Sequence, residues 1–333
     1  LPKRKEKKMP RAIRIYETGG PEVFKREDDD PGLPGRGEVL VRHDAVGLNF
    51  IDVYHRTGLY PLPKLPHIPG MEGAGIVEAV GEGVTDIAEG DRVAYAAVPP
   101  GAYCEVRRIP AHRLVKLPEG ISTREGAAMM LQGMTARYLL HGCYPVKAGD
   151  RILIHAAAGG VGSIVCQWAK HKGAVVFGTV GSKEKAELAG ANGCDHPILY
   201  RDEDFVARIK DLTDGRGVDV VYDSVGKATF TASLDCLRPM GMMVSFGQAS
   251  GPLDPLETGI LAQKGALFLT RPTLMVYTAK REDLLEHARD LFDVVGKGAV
   301  KIDVRQTYPL SEVARAHRDL EGRKTTGKTL LLP

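Results

Sequence analysis

No uninterrupted apolar run in the sequence approaches the roughly 20 residues that a membrane-spanning helix needs, so a transmembrane role is not expected. Cysteine is sparse. Cys104, Cys143, Cys166, Cys194 and Cys236 are widely spread and include no C-x-x-C pair. An odd number without metal-ligand spacing argues against a disulfide framework or a zinc cluster and fits reduced thiols in the cytoplasm. A strong charge of one sign is also lacking. The formal net charge is +3, and the first eight residues, with five Lys/Arg and one Glu, hold +4, which leaves −1 on residues 9–333. A body so near neutral gives no field for a nucleic-acid partner. The basic head, residues 1–8, has no apolar segment for a secretory signal, and its Glu and lack of Ser argue against a transit peptide. It reads as a disordered arm, an upstream start or an added terminal remnant.

What is present is a globular chain of 333 residues, long enough for two cores. Up to about residue 125 the pattern is β-rich. Ala12–Ile15, Val39–Arg42, Gly75–Val80, Asp91–Tyr95 and Tyr103–Val106 are short strand candidates separated by Gly/Pro clusters such as Pro31–Gly35 and Pro99–Gly101. Many short strands with such turns suggest a barrel-like β domain. Beyond residue 125 helical stretches alternate with six strand candidates: Arg151–His155, Ala174–Val180, Pro197–Tyr200, Val218–Asp223, Met242–Phe246 and Ala266–Thr270. That alternation predicts a doubly wound parallel sheet of the Rossmann type. Helices are expected on the apolar faces Val161/Ile164/Val165/Trp168/Ala169 and Phe230/Leu234/Leu237, over Asp283–Val295, and from an N-cap at Ser311 through Leu320; Thr329–Leu332 closes the chain as a strand.

The chemistry-bearing stretch is Ala156-Ala157-Ala158-Gly159-Gly160-Val161-Gly162, directly after the strand Arg151–His155. Ala157 replaces the first glycine of G-x-G-x-x-G. Gly159 lets backbone approach a pyrophosphate, Gly162 lets the next helix lie close to the strand, and the helix N-terminus offers N–H groups and partial positive charge. An NAD site usually has an acid about 20 residues on, at the end of the second strand. Gly181 stands there instead, followed by Ser182, Lys183, Glu184 and Lys185. A glycine, a hydroxyl and two lysines accept a 2′-phosphate that a carboxylate would repel, so NADP is preferred.

Two further motifs fail on mechanism. Gly322–Thr329 matches the P-loop pattern, but a helix precedes it and only Leu330–Pro333 follow. Tyr60 and Lys64 have the Y-x-x-x-K spacing of short-chain dehydrogenases, but Pro61 and Pro63 forbid the helix that would bring them together.

The glycine turn, Gly181-Ser182-x-x-Lys185, Gly19–Val23, Gly47–Asp52, Gly58–Pro61, Gly70–Gly75, Tyr222–Gly226 and Ser245–Gly247 together resemble the medium-chain dehydrogenase/reductase superfamily. Within it the chain is similar to the zinc-independent NADPH:quinone oxidoreductases of the zeta-crystallin type. The resemblance implies a GroES-like catalytic β domain over residues 9–134 and 272–333, an NADPH domain over 135–271, and an active cleft between them. It implies Asn49, Asp52, Tyr54, Tyr60 and Thr135 on the reacting side. It gives Phe50, Ala158, Gly159, Gly160, Val161, Gly181, Ser182, Lys185, Tyr200, Ser224, Phe246, Gly247, Thr273, Leu274 and Arg323 to the cofactor.

No metal is expected, because Asn49, Met71 and Gln132 stand where zinc-dependent members carry Cys, His and Cys, and amides and a thioether are poor zinc ligands. Quinone reduction by hydride transfer is the implied activity. An enoyl or alkenal double-bond reductase is the alternative, and an NADPH-binding protein with a structural or RNA-binding role is a second one. Family habit also implies a homodimer joined along the apolar edge Ala266–Thr270.

Overall fold

The computed structural model describes residues 9–333; the basic head lies outside the described residues. The described chain forms two units. One runs to Leu131 and resumes over Val304–Pro333, and the other is Gln132–Asp303.

The first unit is built on a seven-stranded sheet. Its path is Val304–Pro309, Lys328–Leu332, Glu38–Gly47, Glu72–Val80, Arg92–Ala96 and Val115–Lys116, and Val106–Pro110 also pairs with Glu38–Gly47. All pairs are antiparallel except that of Val304–Pro309 with Lys328–Leu332. Val39 and Val41 alternate inward to meet Val77, Val93, Tyr95 and Ile109 in one apolar core. A two-stranded pair, Arg11–Arg14 with Lys25–Asp28, lies apart. This is the barrel-like β domain expected. The strand expected at Tyr103–Val106 begins only at Val106; Cys104 makes a single bridge to Ala12. Ser311 does not cap the helix that follows. A short 3-10 turn, Leu310–Glu312, precedes the helix Val313–Glu321.

The second unit holds a six-stranded parallel sheet. Across it the order is His196–Leu199, Val175–Val180, Arg151–His155, Val218–Asp223, Leu237–Ser245 and Phe268–Thr270, which is 3-2-1-4-5-6 counted along the chain. That order belongs to the Rossmann fold. Leu237 opens the fifth strand instead of closing the helix, which spans Phe230–Leu234. The expected break at 271/272 also shifts, since residues 272–303 cluster with this unit. Tyr277 stacks on Tyr138 at 4.7 Å, and Arg137 binds Glu286 and Asp290 of the helix Arg281–Gly296. These contacts are remote in sequence and leave no periodic trace in it.

Candidate functional site

The glycine turn begins where strand Arg151–His155 ends. Ala156 takes a left-handed φ of 56°, and the N–H of Gly159 donates to Ala156 O at 2.8 Å. Gly159 then stands at the N-cap of the helix Gly160–His171 and places no side chain of its own over the N–H groups of the first turn. Those groups and the helix dipole are what an anionic pyrophosphate requires. Ala158 is buried, and Gly160 and Val161 form the first turn. A Cβ on Gly162 would lie 2.3 Å from Ala156 O and 2.8 Å from Ala157 Cα. The helix can therefore lie this close to the strand end only with glycine there.

Several other second-unit candidates follow strand ends at the same carboxyl edge of the sheet. His155 pairs with Thr179, Tyr222 with Ile154, Asp223 with Ser245 and Val244 with Thr270. Gly181, Ser224, Phe246, Gly247 and Thr273 all follow these strand ends. The order reverses between Arg151–His155 and Val218–Asp223, and that is the switch point where open α/β sheets bind ligands. Gly181 replaces the expected acid beneath Tyr200: a Cβ there would lie 2.9 Å from the Tyr200 hydroxyl. Ser182 caps the helix Lys183–Ala191 by accepting the Lys185 N–H at 3.3 Å, and the Lys185 side chain is half-buried.

Asp223 is fully buried and holds the turn after its strand. It accepts the N–H groups of Val225 and Gly226 at 2.7 and 3.1 Å and the Thr229 hydroxyl at 2.8 Å. Arg271 donates to the carbonyls of Ser245 and Gly247 at 2.7 and 3.2 Å, which ties the Phe246–Gly247 segment to the stretch leading to Thr273 and Leu274. Thr273 stands before the short helix Leu274–Tyr277. Thr135 is buried, and its hydroxyl meets that of Tyr138.

In the first unit, Asn49 precedes the helix Phe50–Thr57. Asp52 at its third position reaches back to accept the Asn49 backbone N–H at 2.9 Å. Asn49 is buried, and its amide donates to Glu72 Oε2 at 2.7 Å; the Leu131 N–H donates to Glu72 Oε1 at 2.8 Å. Tyr54 packs between Phe50 and Tyr60, with ring centroids at 5.6 and 5.0 Å. Burial pushes the Asp52 carboxyl up to about 7, against the Asn49 N–H and the Tyr103 hydroxyl. Burial likewise pushes Glu72 up to about 7, against Asn49, the Leu131 N–H and the Lys328 charge. Asp52 is thus an interior capping group and not a side chain on an open face. Arg323 is exposed, with a left-handed φ of 59°, between the helix Val313–Glu321 and the strand Lys328–Leu332. The P-loop match therefore has a helix before it and a strand after it, the reverse of a P-loop.

Sequence reasoning missed Glu72 and Tyr103, which bond to Asn49 and Asp52, and the pair Arg56 and His317 that lies behind Tyr103. The Tyr103 hydroxyl lies 3.0 Å from both Asp52 Oδ2 and His317 Nε2. Only a charged or hydrogen-bonding residue recurring inside an apolar pattern could have hinted at them, as His317 does among Val313 and Ala316.

Residues 35–119 match a family model described as an alcohol dehydrogenase GroES-like domain, and residues 160–293 match one described as a zinc-binding dehydrogenase. Each match falls within one unit. The residues do not fit zinc, however. The Asn49 amide nitrogen is committed as a donor to Glu72, and Met71, 1% exposed, offers only a thioether. Among the described residues no group of three or more His, Cys, Asp and Glu could hold a metal ion. The chain is 51% identical to a quinone oxidoreductase of Pseudomonas aeruginosa, across 98% of this chain and 100% of that one. A 2-haloacrylate reductase from a Burkholderia species is 47% identical, across 98% and 99%. The crystal structure of Escherichia coli quinone oxidoreductase complexed with NADPH superposes with a TM-score of 0.95 at 48% identity, across 97% of this chain and 100% of that one. The chain belongs to the medium-chain dehydrogenase/reductases, in their quinone oxidoreductase family.

Proposed function

We propose that the protein reduces quinones with NADPH, without a metal. The observation that carries this reading is the carboxyl edge of the parallel sheet. There a glycine turn opens a helix, and Gly181 lies under Tyr200 where an NAD-selective acid would stand. Bound NADPH supplies a hydride to an acceptor that is already electron-poor.

The chain's own residues bind and orient. The N–H groups at Gly159, Gly160 and Val161, with Ala158 beside them, hold the pyrophosphate. Ser182, Lys185 and Tyr200 hold the 2′-phosphate, and Lys185 supplies a charge-assisted contact. Ser224, Phe246, Gly247, Thr273 and Leu274 border the nucleotide, and Arg323 serves it from the C-terminal segment. Asn49, Phe50, Tyr54, Tyr60 and Thr135 serve the reacting side. Asp52 supports that side from the interior. A reduced quinone can take its proton from water, so no buried acid is required.

A second reading is reduction of an activated double bond, supported by the 47% identical 2-haloacrylate reductase. NADPH consumption with a panel of quinones and conjugated acrylates or enones separates the two. Fast quinone turnover supports the first reading; turnover of an enone with no quinone turnover selects the second.

A homodimer in the cytoplasm is part of the same proposal. Phe268 and Leu269, 57% and 36% exposed on the terminal strand of the sheet, offer an apolar edge for a second copy. No helix among the described residues is long and apolar enough to cross a membrane.

A further inference from the structure

One imidazole in the first unit is linked to both ends of the helix Phe50–Thr57, directly to Arg56 and through Tyr103 to Asp52. His317, on the helix Val313–Glu321, is fully buried, as are Asp52 and Tyr103, and Arg56 is 1% exposed. Arg56 Nη1 lies 3.2 Å from His317 Nδ1. A guanidinium can only donate, so Nδ1 accepts and the ring proton sits on Nε2. Nε2–H then donates to the Tyr103 oxygen at 3.0 Å, which leaves the phenol O–H to donate to Asp52 Oδ2 at 3.0 Å. The direction of every bond is fixed from the arginine inward. Arg56 is itself held by both carboxylate oxygens of Glu321 at 2.8 and 2.7 Å and by Gly19 O at 3.0 Å.

Four polar side chains buried together are costly unless each bond is made, and an apolar filling would be simpler. What the arrangement adds is direction at Asp52. That carboxyl group closes the first turn of the helix by accepting the Asn49 N–H, and the same helix carries Phe50 and Tyr54. Burial and the Arg56 charge hold His317 down to about 3, so it stays neutral and its tautomer does not change near neutral pH.

We infer that His317 is a positioning residue for the segment Asn49–Thr57, acting on Asp52 through Tyr103. The inference rests on the proposed reading that this segment serves the reacting side. It adds that the Nε2 contact, and not the mere presence of a polar group, sets the geometry.

The test exploits two isosteres in the full-length protein. A glutamine amide sits near the position of Nε2 and can still donate to Tyr103; an asparagine amide sits near Nδ1 and cannot. His317→Asn and His317→Ala are expected to lower kcat with a quinone about tenfold, as small misplacements do, with the KM for NADPH unchanged. His317→Gln should stay within about twofold of the parent, and Tyr103→Phe should reproduce the asparagine result. Equal losses in the Asn and Gln variants, or lowered melting temperatures with kcat preserved in all, would overturn the inference. Hydrogen exchange at amides 49–57 gives a readout independent of turnover. It should quicken in the Asn and Phe variants and not in the Gln variant, and uniform protection across the set would likewise overturn it. If the parent protein turns over neither quinones nor enones, the reading of function has failed, and exchange alone decides the role of His317.

Discussion

The Tyr200 hydroxyl and Gly181 are matched so closely that a Cβ on the glycine would fall 2.9 Å from the phenol oxygen. An aspartate at that point would displace Tyr200 and set a negative charge at the proposed 2′-phosphate site. Gly181→Asp should therefore raise the KM for NADPH by tenfold or more, roughly 1.5–3 kcal/mol, while the KM for NADH changes little. Lys185→Ala should move NADPH in the same direction with kcat nearly preserved, because the contact is remote from the hydride. Steady-state kinetics with both nucleotides checks each variant.

Gly162 faces backbone instead of a flexible side chain, so its neighbours cannot move aside. Gly162→Val should cost about 1–3 kcal/mol, typical of forced overpacking. It should also weaken NADPH binding, because relief of the clash tilts the helix Gly160–His171 away from the strand end. Urea unfolding and a fluorescence titration with NADPH measure the two effects separately.

Asp52 and Glu72 are buried carboxyls pushed up to about 7. Each keeps its proton in the folded protein where the unfolded chain has lost it. Their stabilisation is full below the ordinary carboxylate range and is lost as pH rises through about 7. Buried His43, His55 and His317, held down to about 4, 4 and 3, work in the other direction and lose stability as pH falls through the ordinary histidine range. Asp52→Asn isolates one contribution. Its stability relative to the parent should rise by a few kcal/mol, ~4 at most, between about pH 4 and pH 8, as read by urea unfolding at each pH.

The exposed pair Phe268 and Leu269 ends the parallel sheet. A charge on this edge opposes pairing of two copies. Phe268→Lys should convert a dimer to a monomer in sedimentation velocity while the NADPH titration is unchanged.

Local features were legible in the sequence. The glycine turn, the substitution of Gly181 for an acid and all six parallel strands, the fifth with an earlier start, follow from short-range pattern and turn chemistry. Leu237 could be assigned to the helical face because its spacing from Phe230 and Leu234 fits a helix, yet it opens the next strand. Tyr277 and Arg281–Gly296 could not be assigned to their unit, since nothing in their composition points to Tyr138 or Arg137. The hub at His317 was equally hidden. Its partners lie 214 residues away at Tyr103 and 261 at Arg56, and only the fold brings them together. The sequence points to Asp52 but carries no sign of its burial or of its bond to Tyr103.

NADPH-dependent quinone reduction is tested by the specificity constant for a simple para-benzoquinone measured with NADPH and with NADH, beside that for 2-chloroacrylate with NADPH. The quinone with NADPH should exceed both other pairs, by about tenfold or more over NADH, in line with a charge-assisted contact to the 2′-phosphate. Equal constants for the two nucleotides, or acrylate reduced while the quinone is left untouched, would contradict it.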